Sequence, residues 1–456
     1  MGKLKFYFAM TAAKLSALGL KILGRNATYL PGLIAVTLCK DFIGYLKKPE
    51  IFIAVTGTNG KTTVSNLLTG ALRKNGYTVT NNSFGSNVQG GVAAALLLNS
   101  TFTGKHKNKV AVIEVDERSS LKVYPYMAPD WLIVNNIMRD SMKRNAHTEF
   151  ISYIITSSLP ESVKLVLNAD DIICAQLAPQ CKDRTYFGID AEKPTVLPTQ
   201  ARDIVYCPKC GQKLDAEYIR YNHIGRYRCQ SCGFASPDRD FCVTAIDREN
   251  ERFTVLGDGK EKTYKLINDN ITNIFNACGA IALLTRLGFT DQQLTDYFAQ
   301  GEIVKTRFDK MQAGDAEVTL ILAKGQNPVA CSRVYNYIAT CPGDDKCLLL
   351  IVDDQEDNVN NSESTCWLYD CDYTPFKDEK ITEIIFAGKR CYDHILRCKM
   401  TGVDTNKLVP CPDQLQGHTL VDLNKHKNVY VLYDNYGLDI ARAEARELVK
   451  KGGGKA

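Results

Sequence analysis

With 456 residues, 45% of them hydrophobic and 23% charged, the chain has room for two or three domains with sizeable cores, which excludes a disordered or low-complexity protein. Its seventeen cysteines would signal a disulfide scaffold in a small secreted chain. Here they are spread through a large one with no signal-peptide pattern, and Cys174, Cys278 and Cys331 lie in apolar or helical-looking runs, so reduced, buried thiols in a cytoplasmic protein are expected.

Residues 1–48 are apolar enough to suggest a targeting or membrane segment. Lys14 and Lys21 interrupt every window of the roughly 18 apolar residues a spanning helix requires. The segment holds eight Lys or Arg against Asp41 alone, whereas the whole chain is +5, so the remainder is −2. A basic amphipathic helix near an anionic surface fits this charge, as does a helix packed on the first domain with its lysines solvated.

From residue 51 the pattern turns to α/β. IFIAVTG reads as a β-branched strand and TVSNLLTGALRKNG as a helix stopped by Gly76, with TGTNGKTT between them. Gly57 and Gly60 let backbone N–H groups turn inward to a phosphate at a helix N-terminus, with Thr58 and Asn59 between them in the binding loop, Lys61 adds a point charge, and Thr62 or Thr63 offers a hydroxyl to Mg²⁺. KVAVIEVDE is a buried strand whose Glu114 and Asp116 approach its C-terminal end, where open α/β sheets bind ligands; Glu114 is the expected Mg²⁺ carboxylate. The plain alternative, acids that cap the strand in solvent, fits Asp116 and Glu117 better than Glu114, which Ile113 and Val115 flank. DWLIVNNI and SVKLVLNADD are further strands, and NITNIFNACGAIALLTRLG a helix carrying Asn273 and Asn276 on one face.

Residues 207–234 contain CPKC and CQSC eighteen residues apart. Each pair closes a tight turn that presents two thiolates, and Cys207, Cys210, Cys229 and Cys232 together make a closed tetrahedral sphere for a structural Zn²⁺. His223, inside this ribbon, is expected to be packed or hydrogen-bonded rather than a ligand. Residues 201–240 mix both signs of charge without a basic stripe, so nucleic acid is not the expected partner. Beyond about residue 311, EVTLILAK, KCLLLIVDD, EIIFAGK and NVYVLYD read as strands alternating with helices such as SRVYNYIAT and ARAEARELVKK, a separate α/β domain.

TGTNGKTT, NSFGSN at 82–87, EVDE, LNADD and NITNIFNA together resemble the Mur ligase superfamily. The Cys pairs, FGI at 187–189, AKGQNP at 323–328 and CWLYDCD at 366–372 resemble, within it, the MurT family. The resemblance implies a central P-loop ATPase domain over 49–310 with the ribbon inserted at 205–236, and a Rossmann-like C-terminal domain over 311–456. It also implies that Asn273 and Arg307 contact ATP. The implied reaction is ATP-dependent amidation of the α-carboxyl of D-glutamate in the lipid II stem peptide, by ammonia from a GatD-like glutaminase in a heterodimer. The family's Trp-x-x-Asp pattern falls on Asp370, implied to complete a Cys-His-Asp triad on that partner; Asp353 and Asp357 are the alternatives. RDSMKR keeps Asp140 but has Lys143 where the family has a second acid. An amino-acid-adding ligase and a zinc-ribbon module that binds nucleic acid are the competing readings.

Overall fold

The computed structural model describes residues 2–82, 86–140, 147–194, 203–267, 270–300, 308–323, 325, 327–351, 365–434 and 437–454. Arg307, Lys143, Asp353 and Asp357 lie outside them. The chain divides into two compact units, the first built from Met1–Met138, His147–Leu197 and Asp203–Val304, the second from Arg139–Ala146, Pro198–Arg202 and Lys305–Ala456.

The first unit centres on a nine-stranded sheet. From edge to edge it runs Lys260–Lys265, Arg252–Gly257, Phe241–Asp247, Arg184–Ile189, Lys164–Asn168, Trp131–Val134, Ile51–Thr56, Val110–Glu114 and Val79–Asn81. The last seven are parallel, while Arg252–Gly257 pairs antiparallel with both of its neighbours. The central strands are buried on both faces, as their unbroken apolar runs require. Ile51–Thr56 sits between Val110–Glu114 and Trp131–Val134, so the chain leaves it to one side and later returns on the other. That reversal brings the loops after residues 56, 114 and 134 together at the C-terminal ends of the strands. The antiparallel hairpin over 252–265 turns at Asp258–Gly259, both at positive φ, a two-residue hairpin signal that is present in the sequence but is not among the elements read from it above.

The first helix, Gly2–Ile22, buries Phe6, Ala9, Met10 and Ala13 in the core of this unit. No helix among the described residues is long and apolar enough to cross a membrane. The next helix, Leu30–Leu38, lies backbone to backbone on Gln89–Leu98: a Cβ at Gly32 would stand 1.9 Å from the Gly90 carbonyl oxygen.

In the second unit the sheet order is Phe308–Ala313, Ala316–Leu322, Asn428–Tyr433, Lys346–Ile351, Ile381–Ala387 and Leu408–Cys411, parallel except for the first strand. Period-two alternation splits its core: Leu348 and Leu350 join Cys331, Tyr335 and Trp367 on one face, while Cys347, Leu349 and Ile351 join Ala441, Ala445 and Leu448 on the other. Buried Lys346 closes the helix Pro328–Thr340, donating to the carbonyls of Ile338, Ala339 and Cys341 at 2.9, 3.1 and 2.6 Å.

Because a backbone oxygen occupies the place of a Cβ at residue 32, Gly32→Ala must push two helices apart. We expect a loss of about 1–3 kcal/mol, read as a lower melting temperature of the full chain; an unchanged melt would show that the helix contact is looser than described.

Candidate active site

The phosphate loop leaves the central strand at Thr56 and enters the helix Lys61–Lys74. Gly57 and Gly60 have φ of +123° and +86°, a region closed to most side chains. Space excludes a side chain as well. A Cβ on Gly57 would lie 2.8 Å from the Asn136 carbonyl oxygen, and one on Gly60 would lie 2.3 Å from Asn276 Oδ1.

The neighbouring loop fixes this geometry. Thr58 N donates to Asn136 O at 2.8 Å, Asn59 N donates to Asn136 Oδ1 at 2.9 Å, and Asn136 Nδ2 returns a bond to Asn59 O at 3.1 Å. Met138 N donates to Thr58 Oγ1 at 2.9 Å, and that hydroxyl donates to Met138 O at 3.1 Å. On the helix Ile271–Arg286, Asn276 accepts from Asn135 Nδ2 at 3.4 Å and donates to Asn273 Oδ1 at 3.5 Å, so Asn273 stands one residue removed from the loop.

Two acidic residues face the loop. Thr62 Oγ1 donates to Glu114 Oε2 at 3.0 Å, which puts a hydroxyl and a buried carboxylate side by side at the end of the strand. This donor pair suits Mg²⁺, a hard cation that takes oxygen ligands beside phosphates. Lys61 Nζ pairs with Glu117 Oε1 at 2.9 Å and also donates to the Gly57 carbonyl. Thr63 lies in the first turn of the helix, half-buried.

Glu117 corrects the sequence reading. It is 3% exposed, not solvated, and burial together with its charge pushes the Tyr124 phenol far up. Asp116 is also buried and caps a short turn by accepting from Arg118 N at 3.2 Å. No local pattern signals the Lys61–Glu117 pair, because the partners are 56 residues apart and meet only where their strands are neighbours. Asn136 was missed for the same reason.

The four ribbon cysteines form two equivalent knuckles. Gly211 N donates to Cys207 O at 2.8 Å and Gly233 N to Cys229 O at 3.0 Å, each glycine in the left-handed region at φ +74° and +71°. Cys207 Sγ lies 3.6 Å from Cys232 Sγ and Cys210 Sγ 3.5 Å from Cys229 Sγ, with all four within 4.8 Å. A tetrahedron with metal–sulfur bonds of about 2.3 Å has sulfur–sulfur edges of about 3.8 Å, so the donor set fits one thiophilic ion. Cys229 is lowered to about 7, opposed by burial but favoured by the backbone N–H of Cys232 and the Cys210 thiol, and Cys210 is raised to about 12 by burial and its thiol neighbours against a backbone bond from Gln212. His223 lies away from them, fully buried, with Nε2 3.0 Å from Asp171 Oδ1 and Nδ1 3.0 Å from Asn222 Oδ1.

In the second unit Asp370 ends the short helix Trp367–Asp370 and pairs with Arg139 at 3.1 Å, its side chain 20% exposed. Asp140 is half-buried.

Residues 55–227 match the Mur ligase middle domain and residues 324–437 the MurT ligase C-terminal domain. The lipid II isoglutaminyl synthase (glutamine-hydrolyzing) subunit MurT of Streptococcus pneumoniae is 30% identical over 435 residues, 94% of each chain. The chain belongs to the MurT family of Mur ligases. Its counterpart from Staphylococcus aureus (strain COL) is 29% identical over 88% of this chain and 89% of that one. As a family member the protein is an ATP-dependent ligase of peptidoglycan synthesis. The fold is shared with a pseudomurein peptide ligase type C from Methanothermus fervidus, TM-score 0.64 at 21% identity over 91% of this chain and 81% of that one. It is shared too with the MurF ligase of Thermotoga maritima in complex with ADP, TM-score 0.57 at 15% identity over 93% and 84%.

Lys61 is the one side-chain cation at the mouth of the loop among the contacts described above, so Lys61→Ala should leave the fold intact and lower ATP turnover by about 10² or more. A folded variant that turns over ATP like the wild type would remove the loop from the reaction.

Proposed function

We propose that this chain amidates the α-carboxyl of D-glutamate in the lipid II stem peptide to D-isoglutamine, using ATP and ammonia. The observation that carries the reading is the phosphate loop with Lys61, Thr62 and Glu114 at one point, in a chain similar along 94% of its length to a glutamine-hydrolyzing synthase subunit. In this reading the backbone N–H groups of residues 60–63 hold the ATP phosphates at the helix N-terminus, those of Thr58 and Asn59 being spent on Asn136 instead, and Lys61 neutralises charge on the moving γ-phosphoryl group. Glu117 holds the Lys61 ammonium towards the loop. Thr62 and Glu114 would hold Mg²⁺, which supplies charge neutralisation to the phosphates when bound. The carboxylate takes the phosphoryl group, and ammonia displaces phosphate from the resulting acyl phosphate. Asn273 is assigned to the nucleotide through its place beside Asn276, and Arg307 by its position in KTRF. The ribbon cysteines are assigned to a structural Zn²⁺, since four thiolates leave no open position for water or substrate.

Free ammonium is scarce and protonated, so a GatD-like glutaminase is the proposed source, in a heterodimer. Asp370 is the proposed third member of its Cys-His-Asp triad: a carboxylate on the far imidazole nitrogen fixes the tautomer and stabilises the cation formed when the thiol ionises. With the partner present, Asp370→Asn should abolish glutamine-dependent amidation, by up to about 10⁴, while amidation from added ammonia at high pH continues. Loss of both activities would place Asp370 at the acceptor or ATP site, and loss of neither would leave it as Arg139's ion-pair partner only.

We place the enzyme in the cytoplasm, touching the inner face of the membrane where a lipid-linked acceptor lies. The first helix supports this. Opposite its buried face, Leu4, Phe8, Leu15 and Ile22 are exposed, at 77, 65, 62 and 77%, and fall on one stripe at helical spacing, flanked by Lys3, Lys5 and Lys21. Lys14 is excluded from that contact because it donates to Ser100 O at 2.6 Å and lies over the Phe102 ring. Phe8→Asp with Leu15→Asp should cut sedimentation with anionic phosphatidylglycerol vesicles several-fold without lowering the melting temperature; undiminished binding would remove the helix from the membrane contact.

A further inference from the structure

The ribbon is wired to the phosphate loop. We propose that the Cys₄ ribbon positions the nucleotide loop through His223 and Asp171, so that metal bound at the cysteines sets the order of the ATP site. The inference rests on reading the cysteines as a metal site and residues 57–63 as the nucleotide loop.

The ribbon's own core is small. Its hairpin, Asp215–Tyr221 with Ile224–Arg228, is held by Cys207, Leu214, Ile219, Tyr227 and Cys229 packed on Ile172, with Ile204, Ala216, Cys232 and Phe234 only partly buried beside them. So few side chains do not hold a segment of this size without a staple, and a metal joining the two knuckles supplies one. At the hairpin turn Asn222 adopts φ +47°, and the turn delivers His223 into a fully buried position.

His223 meets Asp171 there, the second acid of LNADD. The Asp171 carboxylate is completely buried and both of its oxygens accept hydrogen bonds. Oδ1 receives His223 Nε2 at 3.0 Å and the backbone N–H of Ile173 and Cys174, each at 2.9 Å, while Oδ2 receives Ile137 N at 2.7 Å. Ile137 stands between Asn136 and Met138, the two residues that bind Thr58 and Asn59. The path from the ribbon to the phosphate loop is thus His223, Asp171, Ile137, then Asn136 and Met138 on either side. The hydrogen bonds along it are 2.7 to 3.1 Å long, and peptide bonds join Ile137 to its two neighbours.

A second clamp holds the ribbon against the same loop but leads away from the nucleotide. Arg239 pairs with Asp170 Oδ1 at 2.7 Å, Asp170 Oδ2 accepts from Ile189 N at 3.0 Å, and Tyr218 of the hairpin donates to Ile189 O at 3.0 Å. Burial pushes the Asp170 carboxyl up, and Arg239 and the Ile189 N–H oppose it. The ribbon therefore stays docked through Asp170 when the His223 link alone is cut, which makes the relay separable from docking. His223 and Asp171 are positioning residues, since neither reaches the phosphate loop itself.

The test uses the full-length chain, with bound metal counted and two readouts taken. Amide hydrogen exchange in the ATP-free chain should be about tenfold faster at Ile137, Thr58 and Asn59 in His223→Phe, with the bound metal kept and exchange at Val112 and Leu167 unchanged. Cys207→Ser, which releases metal, should speed the same amides, and adding His223→Phe to it should bring little more. His223→Gln, whose amide can still donate to Asp171, should restore protection. The Kd for Mg²⁺-ATP should rise about tenfold in His223→Phe, as for one lost hydrogen bond to a charged group. Equal acceleration at Val112 and Leu167 would show general destabilisation and overturn the proposal, as would unchanged exchange at Thr58 and Asn59 or fully multiplicative effects of the two substitutions. A wild-type chain that takes up no Mg²⁺-ATP would count against the ligase reading, and the exchange readout would still decide the relay.

Discussion

The first unit depends on an absence of side chain at two positions. At Gly57 and Gly60 the backbone of the phosphate loop comes so close to Asn136 and Asn276 that a single methyl group at either would sit inside its neighbour. Only because these positions are bare can the loop be gripped by the adjacent strand's exit on one side and lie close against Asn276 of the helix Ile271–Arg286 on the other. The loop is thereby fixed before any phosphate arrives, which matters because donors already held in place cost no reorganisation when charge develops.

Buried carboxylates carry the rest of that order. Glu114, Glu117, Asp170 and Asp171 are all withdrawn from water, where an unpaired charge would cost several kcal/mol. Each has a fixed partner: Thr62 for Glu114, Lys61 for Glu117, Arg239 for Asp170, and three backbone amides with His223 for Asp171. These pairs are poor sources of net stability, because desolvation offsets most of their attraction. They are effective at defining a geometry, since a buried carboxylate that shifts loses its partners and gains no water.

The second unit solves the same problem with less chemistry. Its parallel strands send alternate side chains to two separate apolar layers, and the fully buried Lys346 spends its three donors on the carbonyls that end a helix. Asp370 lies at the end of a short helix whose Trp367 and Leu368 are buried while Tyr369 is exposed and the half-buried Asp370 carboxylate pairs with Arg139. The apolar side chains fix the turn, and the turn aims the acid.

What the sequence determined by itself was local. β-branched runs of four to seven residues, a Gly-rich turn before an amphipathic helix, and paired cysteines followed by glycine each impose their geometry within a few residues, because backbone sterics and apolar periodicity act over that range. The strands of the central sheet, the phosphate loop and the two knuckles were legible on that basis. Tertiary structure alone decided which acids matter. EVDE offers three carboxylates within four residues, and only the placement of one strand beside another turned Glu117 towards Lys61 and left Asp116 as a cap. It likewise decided that Asn136 grips the loop, that His223 reaches Asp171 and not the cysteines, and that the edge beyond Phe241–Asp247 closes with an antiparallel hairpin. Apart from that hairpin, which turns locally at Asp258–Gly259, the contacts concerned join residues about 50 to 140 apart, and no local propensity specifies a pairing at that distance; it follows from the order in which the strands come to lie.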